Sequence, residues 1–304
     1  MIRYEQVKNK PNTFKSLTGL SVEGFEALLG AFAVAYEGAL QQRDKQRGVV
    51  RQRARGAGQK GALPELADKL LFILFYFRVY PVQIIQGFLF GMGQPQANAW
   101  IHRLSPILRV ALGYDLQLPA RAPADIKAVL ESCPGLEFII DGSERPIRRP
   151  KEATRQKANY SGKKKRHTRK NNVITDKPKG KVRGLSPTVE GKRHDKKLAD
   201  EQGDLFPGGS KIWKDTGFQG YEPKHVATFA PTKKPRGREL SPEQKAANTR
   251  LAKDRIGIEH TLGGVKVFRI VADVFRNMRQ DFDDLAMEIC CGLHNFRLDH
   301  PLTA

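Results

Sequence analysis

Cysteine is scarce: Cys133, Cys290 and Cys291 are the only three in 304 residues, and no two are spaced as a zinc-ligand pair. That argues against both a disulfide framework and a metal knuckle, and a reducing compartment suits the chain. Long apolar runs are missing as well. The longest, Leu70 to Phe77, is closed by Arg78 and falls far short of the roughly 20 residues that a bilayer span requires. No signal peptide or stop-transfer segment is read at the N-terminus, so a cytoplasmic location is expected. Acids are the third shortage. There are 32 Asp and Glu against 53 Lys and Arg, a formal charge of +21. Such a surplus calls for a polyanionic partner, because neutralised phosphates release counterions whatever the base sequence. Nucleic acid is the first candidate and an acidic membrane surface the second.

Residues 18 to 38 read as a helix, with Ser21 placed to cap it and Phe25, Leu28, Leu29 and Phe32 at helical spacing. Gln41 to Lys60, rich in Arg, Lys and Gly, cannot bury enough apolar surface to order itself. It is expected to be a mobile basic linker or a solvated charged loop. From Leu63 three helical segments follow. Pro64 starts one that reaches Val79, Pro81 starts a second over Val82 to Phe90, Gly91-Met92-Gly93 turns the chain, and Gln94 to Leu112 forms the third. This is a helix-turn-helix layout, with a plain helical bundle as the alternative. Gln94, Gln96, Asn98, His102 and Arg103 are the candidates to meet base edges and phosphates, while Ala97, Ile101 and Leu104 keep the inner face apolar. Phe72, Phe75, Tyr76 and Trp100 read as packing.

Beyond Pro119 and Pro123 the pattern turns β-rich. Strands are expected at Glu137 to Asp141, His167 to Thr175, Lys181 to Val189, Ser210 to Asp215 and near His225 to Phe229, with Asp176 to Gly180 as a hairpin loop. Three antiparallel strands followed by further strands and a helix begin a ribonuclease-H-like sheet. The expected fold is therefore α+β: a ribonuclease-H-like catalytic domain with a mixed five-stranded sheet and helices over 130–300, preceded by an all-α helix-turn-helix domain over 63–115 and an N-terminal helix and basic linker over 1–62. Ser241-Pro242-Glu243-Gln244 is a capping box opening a late helix to about Leu262, ahead of Gly263-Gly264. Arg255 and Glu259 are i, i+4 neighbours on it, and Lys266 joins their face if the helix continues.

Three acids stand out: Asp141 at the end of Phe138-Ile139-Ile140-Asp141-Gly142, Asp215 in Lys214-Asp215-Thr216-Gly217-Phe218, and Glu259 on the late helix. Two acids leaving strands and one on a helix can hold a pair of hard divalent cations, and such a pair cuts phosphodiesters. Asp141 is expected to bridge two Mg²⁺ or Mn²⁺ ions, with Asp215 and Glu259 each holding one, and with Arg255 or Lys266 clamping a phosphate. Asp195, in His194-Asp195-Lys196, is a fourth candidate as a metal ligand or as an acid orienting one; a helix N-cap or an ion pair with a neighbouring lysine is its structural alternative. From Arg145 to Arg183 sixteen Lys or Arg face two acids, Glu152 and Asp176. Arg148, Arg149 and Lys163-Lys164-Lys165-Arg166 are the leading phosphate contacts there, and a nuclear-localisation-like or RNA-binding patch is the competing view.

At these residues the sequence resembles the transposases of the IS5 group of bacterial insertion sequences, in the branch related to Harbinger-type elements. The C-terminal signature of that group (Tyr, two residues, Arg, three residues, Glu, six residues, Lys) is matched at Arg255, Glu259 and Lys266, with Ala252 at the Tyr position. Ile140-Asp141-Gly142-Ser143-Glu144 and Asp215-Thr216-Gly217-Phe218 match the first two acids, Phe218 standing where the family has Tyr. Arg78-Val79-Tyr80-Pro81 with Leu89-Phe90-Gly91 resembles the family's helix-turn-helix, and Gly292-Leu293-His294-Asn295-Phe296-Arg297 its closing helix. The resemblance implies a two-metal DDE transposase in the nucleoid that binds double-stranded DNA at terminal inverted repeats, hydrolyses a strand at each end and joins the 3′-hydroxyl to target DNA. Pairing two ends implies a homodimer or higher oligomer. A catalytically silent DNA-binding protein or repressor, and an unrelated metal-dependent nuclease, are the competing functions.

Overall fold

The computed structural model describes residues 1–49, 61–235, 237 and 239–301. The chain forms two compact units, one of Met1–Leu118, Val267–Val271 and the residues from Leu285 onward, the other of Pro119–Lys266 and Ala272–Asp284.

The first unit is helical: α1 (Tyr4–Val7), α2 (Pro11–Thr18), α3 (Val22–Gln46), α4 (Leu66–Val79), α5 (Gln83–Phe90) and α6 (Gln94–Tyr114). Ser21 caps α3 as expected, accepting from the Gly24 N–H at 3.0 Å. The helix runs well past residue 38, into the stretch expected as linker. Gln41, Gln42, Arg43 and Lys45 are good helix formers, and Arg43 and Lys45 in the last turn suit the negative end of the helix dipole. Residues 50–60 of that expected linker lie outside the described residues. All of Leu70 to Phe77 in α4 is buried, as a helix apolar on every side requires. Phe72 and Phe75 meet Phe90 edge to face, with centroids 5.0 and 5.5 Å apart. Between α5 and α6 the turn is tight: Gly91 has φ +71, and a Cβ on Gly87 would lie 2.6 Å from the Met92 carbonyl oxygen.

No single helix among the described residues is long and apolar enough to cross a membrane. α2 and α3 meet the combined condition of length and hydropathy only as a pair, bent by 49°, and their Phe14, Phe25, Leu28 and Phe32 are buried inside the unit.

The second unit contains α7 (Pro123–Glu131), β1 (Glu137–Pro146), α8 (Ala153–Asn159), β2 (Tyr160–Ser161), β3 (Arg166–Asp176), β4 (Val182–Leu185), β5 (Val189–Glu190), α9 (Asp195–Glu201), β6 (Lys211–Lys214), β7 (Ala227–Phe229) and α10 (Pro242–Lys266). The short α11 (Arg269–Ala272) and α12 (Phe282–Asp299) follow. From Leu285 onward α12 counts with the helical unit; there Arg109 Nε donates to Glu288 at 2.9 Å and Asn295 Nδ2 to the Gln117 carbonyl at 2.7 Å.

Strand order is β2-β3-β1-β6-β7, with β4 and β5 also paired to β3. β1 is antiparallel to β3 and β3 to β4, whereas β6 is parallel to both β1 and β7. This is the ribonuclease-H-like mixed sheet. Side chains alternate along β1: Phe138 and Ile140 enter a core with Ile126 and Leu130 of α7, Ala199 of α9 and Phe206, while Ile139 approaches α10 at Gly257, where a Cβ would lie 3.7 Å from its Cδ1.

Other boundaries also differ from expectation, for local reasons. β1 extends to Pro146 because β3 pairs with it along its length. The strand expected at Lys181 to Val189 is split into β4 and β5 at Ser186-Pro187, proline having no N–H to give a ladder. Pro123 opens a helix, with Asp125 in its first turn. The capping box at Ser241 forms reciprocally, Gln244 N–H to Ser241 Oγ at 3.2 Å and Ser241 N–H to Gln244 Oε1 at 3.0 Å. α10 then continues through Gly263-Gly264 to Lys266, since burial of Leu262 and Val265 outweighs the roughly 1 kcal/mol that each glycine costs a helix.

Candidate active site

β1 and β6 run side by side and parallel with Ile140 opposite Lys214, so the next residues, Asp141 and Asp215, leave adjacent strands together. By alternation from Ile139, Asp141 lies on the α10 face of the sheet. Its pKa is pushed up to about 6, first by burial and then by the charge of Asp215; Arg255 and a 2.8 Å bond from the Gly142 N–H oppose the rise, and Asp195 adds a smaller push upward. Asp215 caps the short turn Thr216–Phe218, its Oδ1 accepting from the Gly217 N–H at 2.7 Å.

Asp195 comes from the opposite layer as the first residue of α9, and its carboxylate fills space that only glycine leaves open. A Cβ on Gly142 would lie 2.6 Å from Asp195 Oδ1, and one on Gly217 would lie 2.9 Å from both Asp195 Oδ2 and Asp215 Oδ1. The glycines of Asp141-Gly142 and Asp215-Thr216-Gly217 thus admit a third carboxylate beside the first two. Asp195 also has an ion pair, though not with a neighbouring lysine: Lys196 pairs with Asp200, and the partner of Asp195 lies far away in sequence. Lys170, 5 % exposed, places Nζ 2.9 Å from Asp195 Oδ1 and 3.3 Å from Glu144 Oε1, and donates to the Arg193 carbonyl at 3.0 Å. The contact with Asp195 lies outside hydrogen-bond geometry, so this buried oxygen keeps unmet acceptor capacity. Asn172 Nδ2 holds the Asp195 carbonyl at 3.0 Å. Burial raises the pKa of Glu144, yet hydrogen bonds from Ser161, Thr168 and Lys170 and the Lys170 charge hold it below the usual glutamate value. Neither Lys170 nor Glu144 was singled out in the sequence. They sit directly opposite each other on β1 and β3, a cross-strand ion pair that becomes readable only once the register is known.

Glu259 is exposed, and among the described residues its side chain makes no hydrogen bond or ion pair. It stands between Arg255, whose charge acts on Asp141, and Lys266, whose pKa is lowered by burial and by Lys164 and raised by Asp141. The structure therefore brings together Asp141, Asp195 and Asp215, and leaves Glu259 on the neighbouring helix without drawing its carboxylate in. Among the described residues no three His, Cys, Asp or Glu side chains are arranged to hold an ion.

Not every basic residue between Arg145 and Arg183 is free to meet DNA. Arg145, 3 % exposed, is bonded to Asn171 and, at 3.2 Å, to Thr188; Arg169 pairs with Asp283 at 3.0 Å and Arg183 with Asp176 at 2.6 Å. Arg148, Arg149, Lys163, Lys164, Lys165 and Arg166 are exposed, Arg149 donating to Gln156 at 2.9 Å. In the helical unit, Gln94 and Gln96 are exposed in the first turn of α6, and His102 is half-buried. Asn98 donates to Gln83 at 3.0 Å, tying α6 to α5. Arg103 is engaged in packing, lying 4.9 Å from the Trp100 ring centroid and 5.5 Å from that of Tyr36.

Residues 140–295, just over half of the chain, match the family described as DDE superfamily endonuclease, and residues 61–113 match the helix-turn-helix of DDE superfamily endonuclease. The chain is 29 % identical over 254 residues to a probable transposase for insertion sequence element IS702 from Microchaete diplosiphon, a match covering 82 % of this chain and 88 % of that one. No solved structure matches it. With a ribonuclease-H-like sheet and a family match over just over half of its length, the chain belongs to the DDE superfamily endonucleases.

Proposed function

We propose that this protein is a DNA transposase of the IS5 group, in its Harbinger-related branch, that cuts and rejoins phosphodiesters at an acid site holding two divalent cations. The observation that carries the reading is the Asp141–Asp215 pair: adjacent parallel strands present two carboxylates together, and burial followed by the charge of Asp215 holds the pKa of Asp141 up to about 6. Uncompensated carboxylates cost stability, and a cation placed between them removes that cost.

The donors fit hard cations. Asp141, Asp195 and Asp215 offer only oxygen, and Asp195 Oδ1 is buried without a hydrogen bond. Asp141 would be the shared ligand, Asp215 and Glu259 would each complete one ion, and Asp195 would be a further ligand or hold the others in place. Bound Mg²⁺ or Mn²⁺ would supply stabilisation of the charge that develops on the attacking and leaving oxygens. Arg255 and Lys266 flank Glu259 on α10 and would fix a non-bridging phosphate oxygen. Arg148, Arg149 and Lys163 to Arg166 would follow the backbone without reading sequence. Gln94 and Gln96, exposed at the start of α6, would meet base edges in the terminal repeats, and His102, Asn98 and Arg103 would steady that helix. Holding both element ends requires at least two copies of the chain, working on nucleoid DNA.

The test is cleavage and strand joining on duplexes carrying the DNA that borders the coding region. Asp141→Ala should abolish both while DNA binding persists. Undiminished cutting by that variant would remove the assignment, and binding with no cutting by the wild-type chain under Mg²⁺ or Mn²⁺ would make the protein a repressor.

A further inference from the structure

Away from the acids, the second unit has an open cleft of about 510 Å³ lined by Pro146, Arg148, Arg166, Asp273, Val274 and Arg276, with Ala272 beside them. One wall is the end of β1 and the start of β3. The other is the segment after α11, fastened to β1 by the Phe275 N–H, which donates to the Pro146 carbonyl at 2.8 Å, and by the parallel bridge Ile147↔Phe275. The Phe275 ring is 8 % exposed and lies 6.2 Å from that of Phe282, so this wall is anchored by packing as well. Asp273 and Arg276 have partners of their own. Arg148 and Arg166 differ: both are exposed, and among the described residues neither side chain has a hydrogen bond or an ion pair. Two guanidinium groups facing one cleft in a chain of charge +21 repel each other, and an anion with oxygens spaced for a guanidinium fork relieves that.

We propose that this cleft binds a phosphodiester of duplex DNA and sets the register of the duplex against the acids, an inference that rests on the function proposed above. Asp141 and Pro146 lie on the same strand, about 16 Å apart at the rise of roughly 3.3 Å per residue. Backbone phosphates advance by about 3.4 Å per nucleotide along one strand of B-DNA. The cleft therefore takes a phosphate within about five nucleotides of the one presented to Asp141 and Asp215, since phosphates also turn about the axis and lie further apart than their rise. Arg148 and Arg166 make the contact, and the segment 272–276 gives it a fixed wall, which distinguishes this site from the exposed lysines at 163–165.

The experiment compares the wild type with the double variant Arg148→Gln/Arg166→Gln, with folding checked by circular dichroism. Binding to fluorescein-labelled duplexes carrying the DNA that borders the coding region is measured in metal-free buffer across salt concentrations. Losing two phosphate contacts should lower the slope of log affinity against log salt by about 1.8. A methylphosphonate scan of the same duplexes should weaken wild-type binding at a position within about five nucleotides of the mapped cut, and the variant should be indifferent to that position. An unchanged slope, or a sensitive phosphate elsewhere, overturns the proposal while leaving the acids' assignment intact if the wild type still cuts. If the slope falls but no divalent metal supports cutting, the reading of the acids fails and the register claim falls with it.

Discussion

The two units are held together by different means. The helical unit is an aromatic and aliphatic interior: Phe14, Phe25, Phe32, Phe72, Phe77 and Phe90 are all fully buried, and its buried charged groups are few, Asp44, Asp68 and Glu288. The sheet unit also has an apolar layer, yet around the acids it buries Arg145, Lys170, Asp176 and Lys214 together with Asn171, Asn172, Thr168 and Ser143. A buried charge network is poor value as a source of stability, because desolvation takes back most of what pairing provides. Its presence on β1, which carries Asp141, and on the neighbouring β3 and β6 teaches that this part of the sheet is shaped for holding carboxylates in place and only secondarily for folding.

The largest effect should come from breaking the apolar side of that contrast. Phe72→Ala removes a buried ring that packs on Phe90 and should cost about 3 to 5 kcal/mol in urea unfolding. Next, Lys170→Met keeps the length of the side chain but leaves Glu144 and Asp195 without their shared cation. A loss of about 3 kcal/mol is expected, together with weaker divalent binding, since Asp195 loses its anchor. A loss of stability with unchanged metal binding would make Lys170 structural only.

Asp141→Asn should act in the opposite direction. The native carboxyl titrates at about 6 against 3.8 when unconstrained, so between these values the folded chain holds more protons than the unfolded one and stability falls as pH rises. The cost is complete above about pH 6 and absent below about pH 4. In metal-free buffer at pH 8 the asparagine variant should therefore be more stable, by on the order of 3 kcal/mol, and the gain should vanish in thermal melts at pH 3.5. The smallest effect is expected of Gly142→Ala, whose Cβ would meet Asp195 Oδ1 at 2.6 Å. It should leave the melting temperature nearly unchanged and weaken Mn²⁺ binding by roughly 10-fold.

The same contrast governs what could be read in advance. In the helical unit, apolar spacing and Pro and Gly punctuation carry the fold, and Leu66–Val79, Gln83–Phe90 and Gln94–Tyr114 fall within two residues of their expected bounds, apart from the fraying ends. α3 outran its expected end because charged residues were read as linker when they are helix formers. In the sheet unit the approximate positions of the main strands and the ribonuclease-H-like mixed sheet followed from the strand pattern. Two features there did not. Arg145 and Lys170 read as cations for DNA because nothing in one dimension distinguishes a buried lysine from an exposed one. Gly263-Gly264 reads as a helix boundary because the packing that carries α10 through it is tertiary.

The central claim is that Asp141 and Asp215 are neighbours in order to share a cation. Mn²⁺ binding, followed by electron paramagnetic resonance on the full chain with duplex DNA present, tests it directly. Wild-type protein should take up Mn²⁺, and Asp141→Asn and Asp215→Asn should each lose at least about 100-fold in affinity. Equal Mn²⁺ affinity in all three would contradict the account.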